Sequence, residues 1–200
     1  MDIILASASP RRKGLLSLIY NEFRIIPSDI RELVPRDLPV DRCPEYLACM
    51  KAENISRGRE RALVIGCDTS VIIEGKILNK PRSTNDARAM MQLLSGKTHQ
   101  VITGCCLYHL GRFKSFSEVT DVEFYPLSEE EIEQYIKTSE PYDKAGGYGI
   151  QNKGALFIKG IKGDYYNVVG LPVARLKREI QAFLAQEDAP EEPPEPRKKR

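Results

Sequence analysis

An aspartate inside a long apolar run is the residue of this chain best suited to catalysis. Asp68 follows residues 63–67 (LVIGC) and precedes residues 69–73 (TSVII). A carboxylate in such surroundings is costly unless it is paired, bound to a metal or functional. Gly66 would also let a ligand or another chain segment approach the backbone closely. We therefore expect Asp68 to be functional; the alternative is an aspartate at a strand end whose side chain caps a turn.

The beginning of the chain has the pattern of a strand, a tight turn and a helix. Residues 3–6 (IILA) have the pattern of a buried strand, Ser9 suits the N-cap, and Pro10 suits the first helical position. Free amides and the helix dipole at such a start attract anions, and the guanidinium groups of Arg11 and Arg12 match phosphate oxygens. The segment predicts a phosphate site, with an ordinary capped helix and an exposed basic first turn as the alternative.

Two lysines and a glutamate could complete such a site. Lys51 lies in a predicted helix, and Lys80 precedes a proline, so that its backbone is expected to be extended. Either lysine could bind phosphate as a point charge, although single lysines are commonly exposed surface residues. Glu32 lies in a predicted loop and could accept a hydrogen bond from a ligand hydroxyl or help to hold a metal.

A glycine-rich segment, residues 142–151, is a further candidate region. Three glycines in four positions suit a backbone that bends or leaves space for a ligand. Gln151 offers both a donor and an acceptor, which suits the edge of a nucleobase. The segment lacks the GK[ST] ending of a P-loop, and a loop shaped by turn glycines is the alternative.

Taken together, the candidate groups favour one kind of chemistry. No Ser/His/Asp nucleophile system can be assembled, because His99 and His109 lie in strand-like runs without a nearby acid. What remains is a carboxylate, several cations and glycine-rich loops. Such a set suits hydrolysis of a phosphate ester or phosphoanhydride, where positioning and charge neutralisation supply most of the rate.

Composition narrows the functional class. The 200 residues are 42% hydrophobic and 29% charged, with a net charge of +2, so we expect no specific nucleic-acid partner. No stretch of about eighteen apolar residues occurs, so no membrane span is expected, and the N-terminus does not resemble a signal peptide. Five cysteines without a CxxC pair indicate reduced thiols and a cytoplasmic location.

Hydrophobic periodicity predicts the elements that must position these groups. The predicted strands are residues 3–6, 23–26, 63–67, 71–73, 76–78, 99–110, 114–125, 155–161 and 166–169. The predicted helices are residues 10–20, 45–57, 84–94, 128–137 and a last helix from about residue 172. Because hairpins require antiparallel pairs, we expect an α/β fold with a mixed twisted sheet flanked by helices, in two lobes with a central cleft.

The chain divides by composition into two parts. Residues 1–186 are expected to form a single domain of two lobes. Residues 187–200 are rich in proline and glutamate and end in four basic residues. Such a composition cannot build a core, and we expect a disordered tail.

These segments resemble the Maf family of nucleoside triphosphate pyrophosphatases. The matching motifs occur in the family's order and cover nearly everything except the tail. They are residues 5–12 (LASASPRR), 51–52 (KA), 66–69 (GCDT), 80–81 (KP), 94–99 (LSGKTH), 143–151 (DKAGGYGIQ) and 168–172 (VVGLP). The resemblance implies a Maf/ITPase-like fold and cleavage between the α- and β-phosphates of a nucleotide.

The resemblance also implies a role for each candidate residue. Asp68 would be the proton acceptor that activates or orients the attacking water. Glu32 would lie in the same pocket, and a divalent cation, Mg²⁺ or Mn²⁺, would offset the remaining charge. The residues expected to bind the triphosphate are Ser7, Arg11, Arg12, Lys51 and Lys80.

Three positions separate two branches of the family. Arg11, Thr69 and Gln151 agree with the branch that prefers dTTP and UTP. The alternatives are a 7-methyl-GTP pyrophosphatase of the sister branch and a non-catalytic nucleotide-binding regulator of cell division. A homodimer is a further expectation.

Overall fold

A seven-stranded mixed sheet forms the centre of the protein in a computed structural model that describes residues 1–185. The strands are β1 (Ile3–Leu5), β2 (Arg24–Ile25), β3 (Leu63–Ile73), β4 (Lys76–Leu78), β5 (Thr98–His109), β6 (Arg112–Phe124) and β7 (Ile158–Lys162). The α-helices are α1 (Pro10–Leu16), α2 (Cys43–Ser56), α3 (Thr84–Leu94), α4 (Glu129–Ile136), α5 (Tyr165–Val169) and α6 (Val173–Ala185). The predicted tail lies outside the described residues.

The order of the strands confirms the expected mixed sheet. The path is β2-β1-β3-β5-β6-β7, with β4 paired to β3 as a hairpin. Strand β1 runs parallel to β2 and β3, whereas β3, β5, β6 and β7 form successive antiparallel pairs. Helices flank this sheet, as expected for the α/β class. Within residues 1–185, no helix is both long and apolar enough to cross a membrane.

The central strand differs from the sequence prediction. Residues 63–67 and 71–73 were expected to form two strands, but β3 continues through Asp68 and Thr69. The reason is β5, which pairs with β3 without interruption and places Gly104 opposite Asp68 and Thr103 opposite Thr69. The catalytic candidate therefore lies within a strand rather than at the end of one.

Two predicted strands near the C-terminus were wrong in whole or in part. Residues 166–169 lie in helix α5, because the Asp164 side chain accepts a hydrogen bond from the Tyr166 amide and Gly170, at φ 125°, ends the helix. In the predicted strand 155–161, Lys153–Phe157 form a 3₁₀ helix, and strand β7 begins only at Ile158. Local capping and turn geometry overrode the strand propensity of the aromatic and β-branched residues.

Helix α1 is shorter than expected, since it ends at Leu16 rather than near residue 20. The Ser17 hydroxyl donates to the carbonyl of Gly14 at 2.7 Å, and the Leu18 amide donates to Leu15 in a tighter turn. These local bonds take up carbonyls at the end of the helix. The start agrees with the prediction, because Ser9 is the N-cap and accepts from the Arg12 amide.

Alternation along β3 distributes its side chains between the two faces of the sheet. Ile65 and Cys67 pack against α1 and α6, whereas Val64 packs on the other face with residues of α2. The close approach of α2 depends on Gly66, where an added Cβ would lie 2.1 Å from the carbonyl oxygen of Ala48. This close packing carries Lys51, on the same helix, to the level of Asp68.

Candidate active site

A cleft of about 740 Å³ crosses the middle of β3. Of the nine residues predicted for the site, eight line this cleft, and they come from widely separated parts of the chain. These are Arg11, Arg12, Glu32, Lys51, Asp68, Thr69, Lys80 and Gln151. Ser7 does not line the cleft, but its hydroxyl accepts a hydrogen bond from Arg12 at 3.1 Å. The structure therefore brings together residues that only the order of the motifs connected.

An ion-pair cluster occupies one wall of the cleft. The Lys51 Nζ atom lies 2.6 Å from Asp68 Oδ1 and 2.7 Å from Glu32 Oε1. The side chains of Lys51 and Asp68 are largely buried, at 12% and 14% exposed, whereas that of Glu32 is 53% exposed. One ammonium group thus bridges a sheltered carboxylate and a solvated one.

Burial dominates the electrostatics of Asp68. Desolvation raises the pKa of the Asp68 carboxyl above its ordinary value, while the charges of Lys51 and Arg12 oppose that rise. The nearby Glu32 charge raises the pKa further. A carboxylate with a raised pKa is a stronger proton acceptor, which is the property required of a general base.

Arg12 binds the protein at several points. Its Nε donates to the carbonyl of Gly170 at 2.9 Å, and its Nη1 donates to Ser7 Oγ and to the carbonyl of Cys67 at 3.0 Å. Its Nη2 donates to Thr69 Oγ1 at 2.9 Å. Four of the five N–H groups of the guanidinium therefore have acceptors within the protein. The sequence predicted a triphosphate ligand for Arg12, but in this structure the side chain mainly ties together three segments around the cleft.

Behind Thr69 lie two buried polar residues that sequence reasoning missed. Thr69 Oγ1 is 2.9 Å from Thr103 Oγ1, and Thr103 Oγ1 donates to the carbonyl of Asn167 at 3.0 Å. Both Thr103 and Asn167 are fully buried. A threonine in an apolar strand gives no sequence signal of such a role, whereas Asn167 lies next to the 168–172 motif.

The glycine-rich segment contributes to a second ion-pair cluster in the cleft. Asp143 accepts from Arg11 Nη1 at 3.4 Å and from Lys144 Nζ at 2.5 Å. Although burial opposes ionisation, these two cations lower the pKa of the Asp143 carboxyl. Lys144 is buried, lines the cleft and was not singled out from the sequence, although it belongs to the 143–151 motif.

Gln151 and Lys80 lie at more open parts of the cleft. Both are exposed and line it. Among residues 1–185, Lys80 forms no ion pair, so its ammonium is available to a ligand. Several cations and the buried carboxylate of Asp68 therefore line one cleft. Such an arrangement suits a bound polyanion.

Comparison with known proteins agrees with this geometry. The model of the family described as "Maf-like protein" matches residues 2–183. A dTTP/UTP pyrophosphatase of Carboxydothermus hydrogenoformans is 51% identical over 185 residues, covering 92% of this chain and 99% of that protein. A dTTP/UTP pyrophosphatase of Bacillus pumilus is 49% identical over 182 residues, covering 91% of this chain and 96% of that protein.

Solved structures show the same fold at low sequence identity. The Staphylococcus aureus Ham1 protein superimposes with a TM-score of 0.53 at 14% identity, covering 94% of this chain and all of that one. A HAM1 protein from Coxiella burnetii gives a TM-score of 0.51 at 11% identity, covering 93% of this chain and 99% of that one. The family model, which matches almost the whole described chain, and the two relatives at 51% and 49% identity place the protein in the Maf family.

Proposed function

We propose that the protein hydrolyses dTTP and UTP to the nucleoside monophosphate and pyrophosphate. The observation that carries the proposal is the buried Asp68 carboxylate, held 2.6 Å from Lys51 in a cleft lined with cations. Two relatives that cover nearly the whole chain are named for this activity. A nucleotide pyrophosphatase needs one proton acceptor and several positive groups, and this cleft offers both.

Asp68 would act on the attacking water. As the water oxygen forms a bond to the α-phosphorus, Asp68 takes the proton, and the bond from that phosphorus to the bridging oxygen breaks. Pyrophosphate leaves with the electron pair of the broken bond. The raised pKa of Asp68 favours this proton transfer, and Lys51 holds the carboxylate at a fixed position.

The cations would divide the work of binding the triphosphate. Arg11, Lys80 and Lys144 line the same cleft as Asp68 and would neutralise the phosphate oxygens. Arg12 would contribute mainly by holding Ser7 and Thr69 in place, with one N–H group left for the substrate. Charge neutralisation by fixed groups is the main source of rate in reactions of this class.

Within residues 1–185 no group of three or more metal-ligating side chains comes together, so a divalent cation would depend on two carboxylates and on the substrate phosphates. Asp68 and Glu32 both approach the same ammonium group, so their oxygens lie close together. Mg²⁺ is commonly held by one or two carboxylates together with substrate phosphates, and Mn²⁺ accepts the same oxygen ligands. Glu32 and Asp68 would hold the ion, which would supply further positive charge to the phosphate groups.

The choice of base would depend on Arg11, Thr69 and Gln151. These residues line one continuous cleft with the catalytic candidate. A side-chain amide can pair with the donor and acceptor of a pyrimidine edge. The cytoplasmic location and the homodimer expected from the sequence remain predictions.

Release of pyrophosphate from a panel of nucleotides tests the proposal. We expect turnover of dTTP and UTP with Mg²⁺ or Mn²⁺ and little turnover of CTP, GTP or 7-methyl-GTP. Asp68→Asn should lower kcat by about 10²- to 10⁴-fold while preserving the fold. Asp121→Asn is the matched control, because Asp121 lies outside the cleft and pairs with Gln100.

Three results would change the proposal. Turnover mainly of 7-methyl-GTP would move the protein to the sister branch of the family. Nucleotide binding without any turnover would favour the regulator. Wild-type turnover by the Asp68→Asn variant would remove Asp68 from the mechanism.

A further inference from the structure

We infer that Thr103 and Asn167 hold the Thr69 hydroxyl as a hydrogen-bond acceptor toward the cleft, so that the site selects bases that carry an imide N–H. This inference rests on the proposed function, because it explains how UTP and dTTP would be separated from CTP. It assigns a role to two buried residues that do not touch the cleft themselves.

The direction of this chain is set at its buried end. Thr103 Oγ1 lies 3.0 Å from the carbonyl oxygen of Asn167, and a carbonyl can only accept. The Thr103 hydroxyl must therefore donate its single hydrogen there. Thr69 Oγ1, 2.9 Å from Thr103 Oγ1, must then donate to Thr103.

The reverse direction is energetically unfavourable. If Thr103 donated to Thr69, its oxygen and the Asn167 carbonyl would face each other at 3.0 Å without a hydrogen between them. Both residues are fully buried, so water cannot relieve that contact. The position of Asn167 is fixed as well, because its Nδ2 donates to Val101 O and to Thr120 Oγ1, both at 2.9 Å, and its Oδ1 accepts from the Thr103 amide.

Arg12 limits the number of acceptor positions left on the Thr69 oxygen. Its Nη2 donates to Thr69 Oγ1 at 2.9 Å, which occupies one of the two acceptor positions of the hydroxyl. The hydrogen of Thr69 is used toward Thr103, so a single acceptor position remains. Because Thr69 lines the cleft, a ligand meets that acceptor and not a donor.

An acceptor of this kind distinguishes between pyrimidines. Uracil and thymine carry a hydrogen on ring nitrogen N3, which can donate to Thr69. The N3 of cytosine carries no hydrogen, so two acceptors would face each other and neither would be satisfied. Sites built to bond a particular substrate group reject analogues that leave buried polar atoms unpaired. Guanine also has an imide N–H, so this contact separates UTP from CTP and not from GTP.

A modified substrate tests the inference on the unaltered enzyme. N3-methyl-UTP lacks the imide hydrogen, whereas 5-methyl-UTP carries the same added methyl group and keeps that hydrogen. We expect kcat/KM for N3-methyl-UTP to fall at least about 10-fold below that for UTP, and 5-methyl-UTP to stay within about 3-fold.

Two variants test the role of Thr103. In Thr103→Val the Thr69 hydrogen loses its acceptor and can turn toward the cleft. The kcat/KM for CTP should therefore rise, and the UTP/CTP ratio of kcat/KM should fall about 10-fold. Thr103→Ser keeps the hydroxyl and should keep the ratio. If Thr103 only supported the fold, its replacement would lower kcat/KM for UTP and CTP together and leave their ratio unchanged.

The outcomes separate this inference from the proposed function. Equal hydrolysis of N3-methyl-UTP and UTP would overturn the inference while leaving the pyrophosphatase intact. An unchanged UTP/CTP ratio in a folded Thr103→Val variant would also overturn it. Absence of turnover with every nucleotide would refute the proposed function itself. Because the modified substrate needs no variant, the test does not depend on the folding of Thr103→Val.

Discussion

Replacing Gly66 by alanine should damage the active site without touching any of its side chains. The added methyl carbon would lie 2.1 Å from the Ala48 carbonyl oxygen and 2.8 Å from the Ala52 amide nitrogen, both in the backbone of α2. Ordinary contacts at such a carbon begin at 3.4 Å, so α2 and β3 would have to separate by about 1.3 Å. No change of rotamer can relieve a clash with backbone atoms.

The cost can be divided between stability and rate. Overpacking of this kind typically destabilises by about 1–3 kcal/mol, which lowers the melting temperature of a chain of this length by about 2–12 °C. Lys51 moves with α2 and away from Asp68, and a displacement of about 1 Å at a catalytic centre can reduce kcat/KM about 10²-fold. Thermal unfolding and pyrophosphate release measure the two effects.

A second glycine provides the control for this substitution. Gly160 lies in β7, and an added Cβ there would have no atom within 4 Å. Gly160→Ala should therefore leave both the melting temperature and kcat/KM close to wild type. A Gly66→Ala protein with wild-type stability would refute the packing argument. A destabilised variant with wild-type kcat/KM would show that the position of α2 does not control Lys51.

Three further predictions concern other groups. Arg12→Lys keeps the charge but loses most of four hydrogen bonds, so denaturant unfolding should show that the free energy of unfolding falls by about 2 kcal/mol or more. The control is Arg178→Lys at an exposed position, which should leave the free energy of unfolding unchanged. Equal stability of the two variants would contradict the bracing role of Arg12. Lys51→Met removes a charge that lowers the pKa of Asp68, so that pKa should rise. Because Asp68 must be ionised to act as a base, the loss of kcat/KM on acidification should begin at higher pH than in the wild type. An unchanged dependence of kcat/KM on pH would argue against Asp68 as the base. Burial lowers the pKa of His99 to about 4, so His99 stays neutral in the folded state while the unfolded chain takes up a proton below about pH 6.5. The free energy of unfolding should therefore fall by about 3 kcal/mol from pH 6.5 to 4, and His99→Gln should flatten that slope; an identical slope in the variant would contradict the assignment.

Sequence reasoning succeeded where a signal is local. The Ser9 N-cap occurs as predicted, because it depends on side chains within one turn of a helix. The continuity of β3 was missed, since it depends on pairing with a strand some forty residues later. Helix α5 was missed because a cap at Asp164 outweighed residues that favour strands.

The site followed the same rule. Motif order grouped nine residues, and eight of them line one cleft, whereas their roles stay predictions. What the sequence could not give was the use made of each group. Arg12 is of a residue type that binds phosphate, yet most of its N–H groups donate to acceptors within the protein. Thr103 has no distinguishing neighbour in the sequence, and only the three-dimensional contact with Thr69 gives it a role.

The contacts of Arg12 also bear on the order in which the protein folds during synthesis. Its guanidinium joins residues 55, 57 and 158 positions further along the chain. Contacts so distant in sequence close late and slow the folding of a domain. A nascent chain can form β1 and α1 early, but Arg12 has no Gly170 carbonyl to bind until nearly all of the folded region has left the ribosome. The bracing of the cleft by Arg12 should therefore be completed only late in folding, once the residues up to Gly170 have emerged.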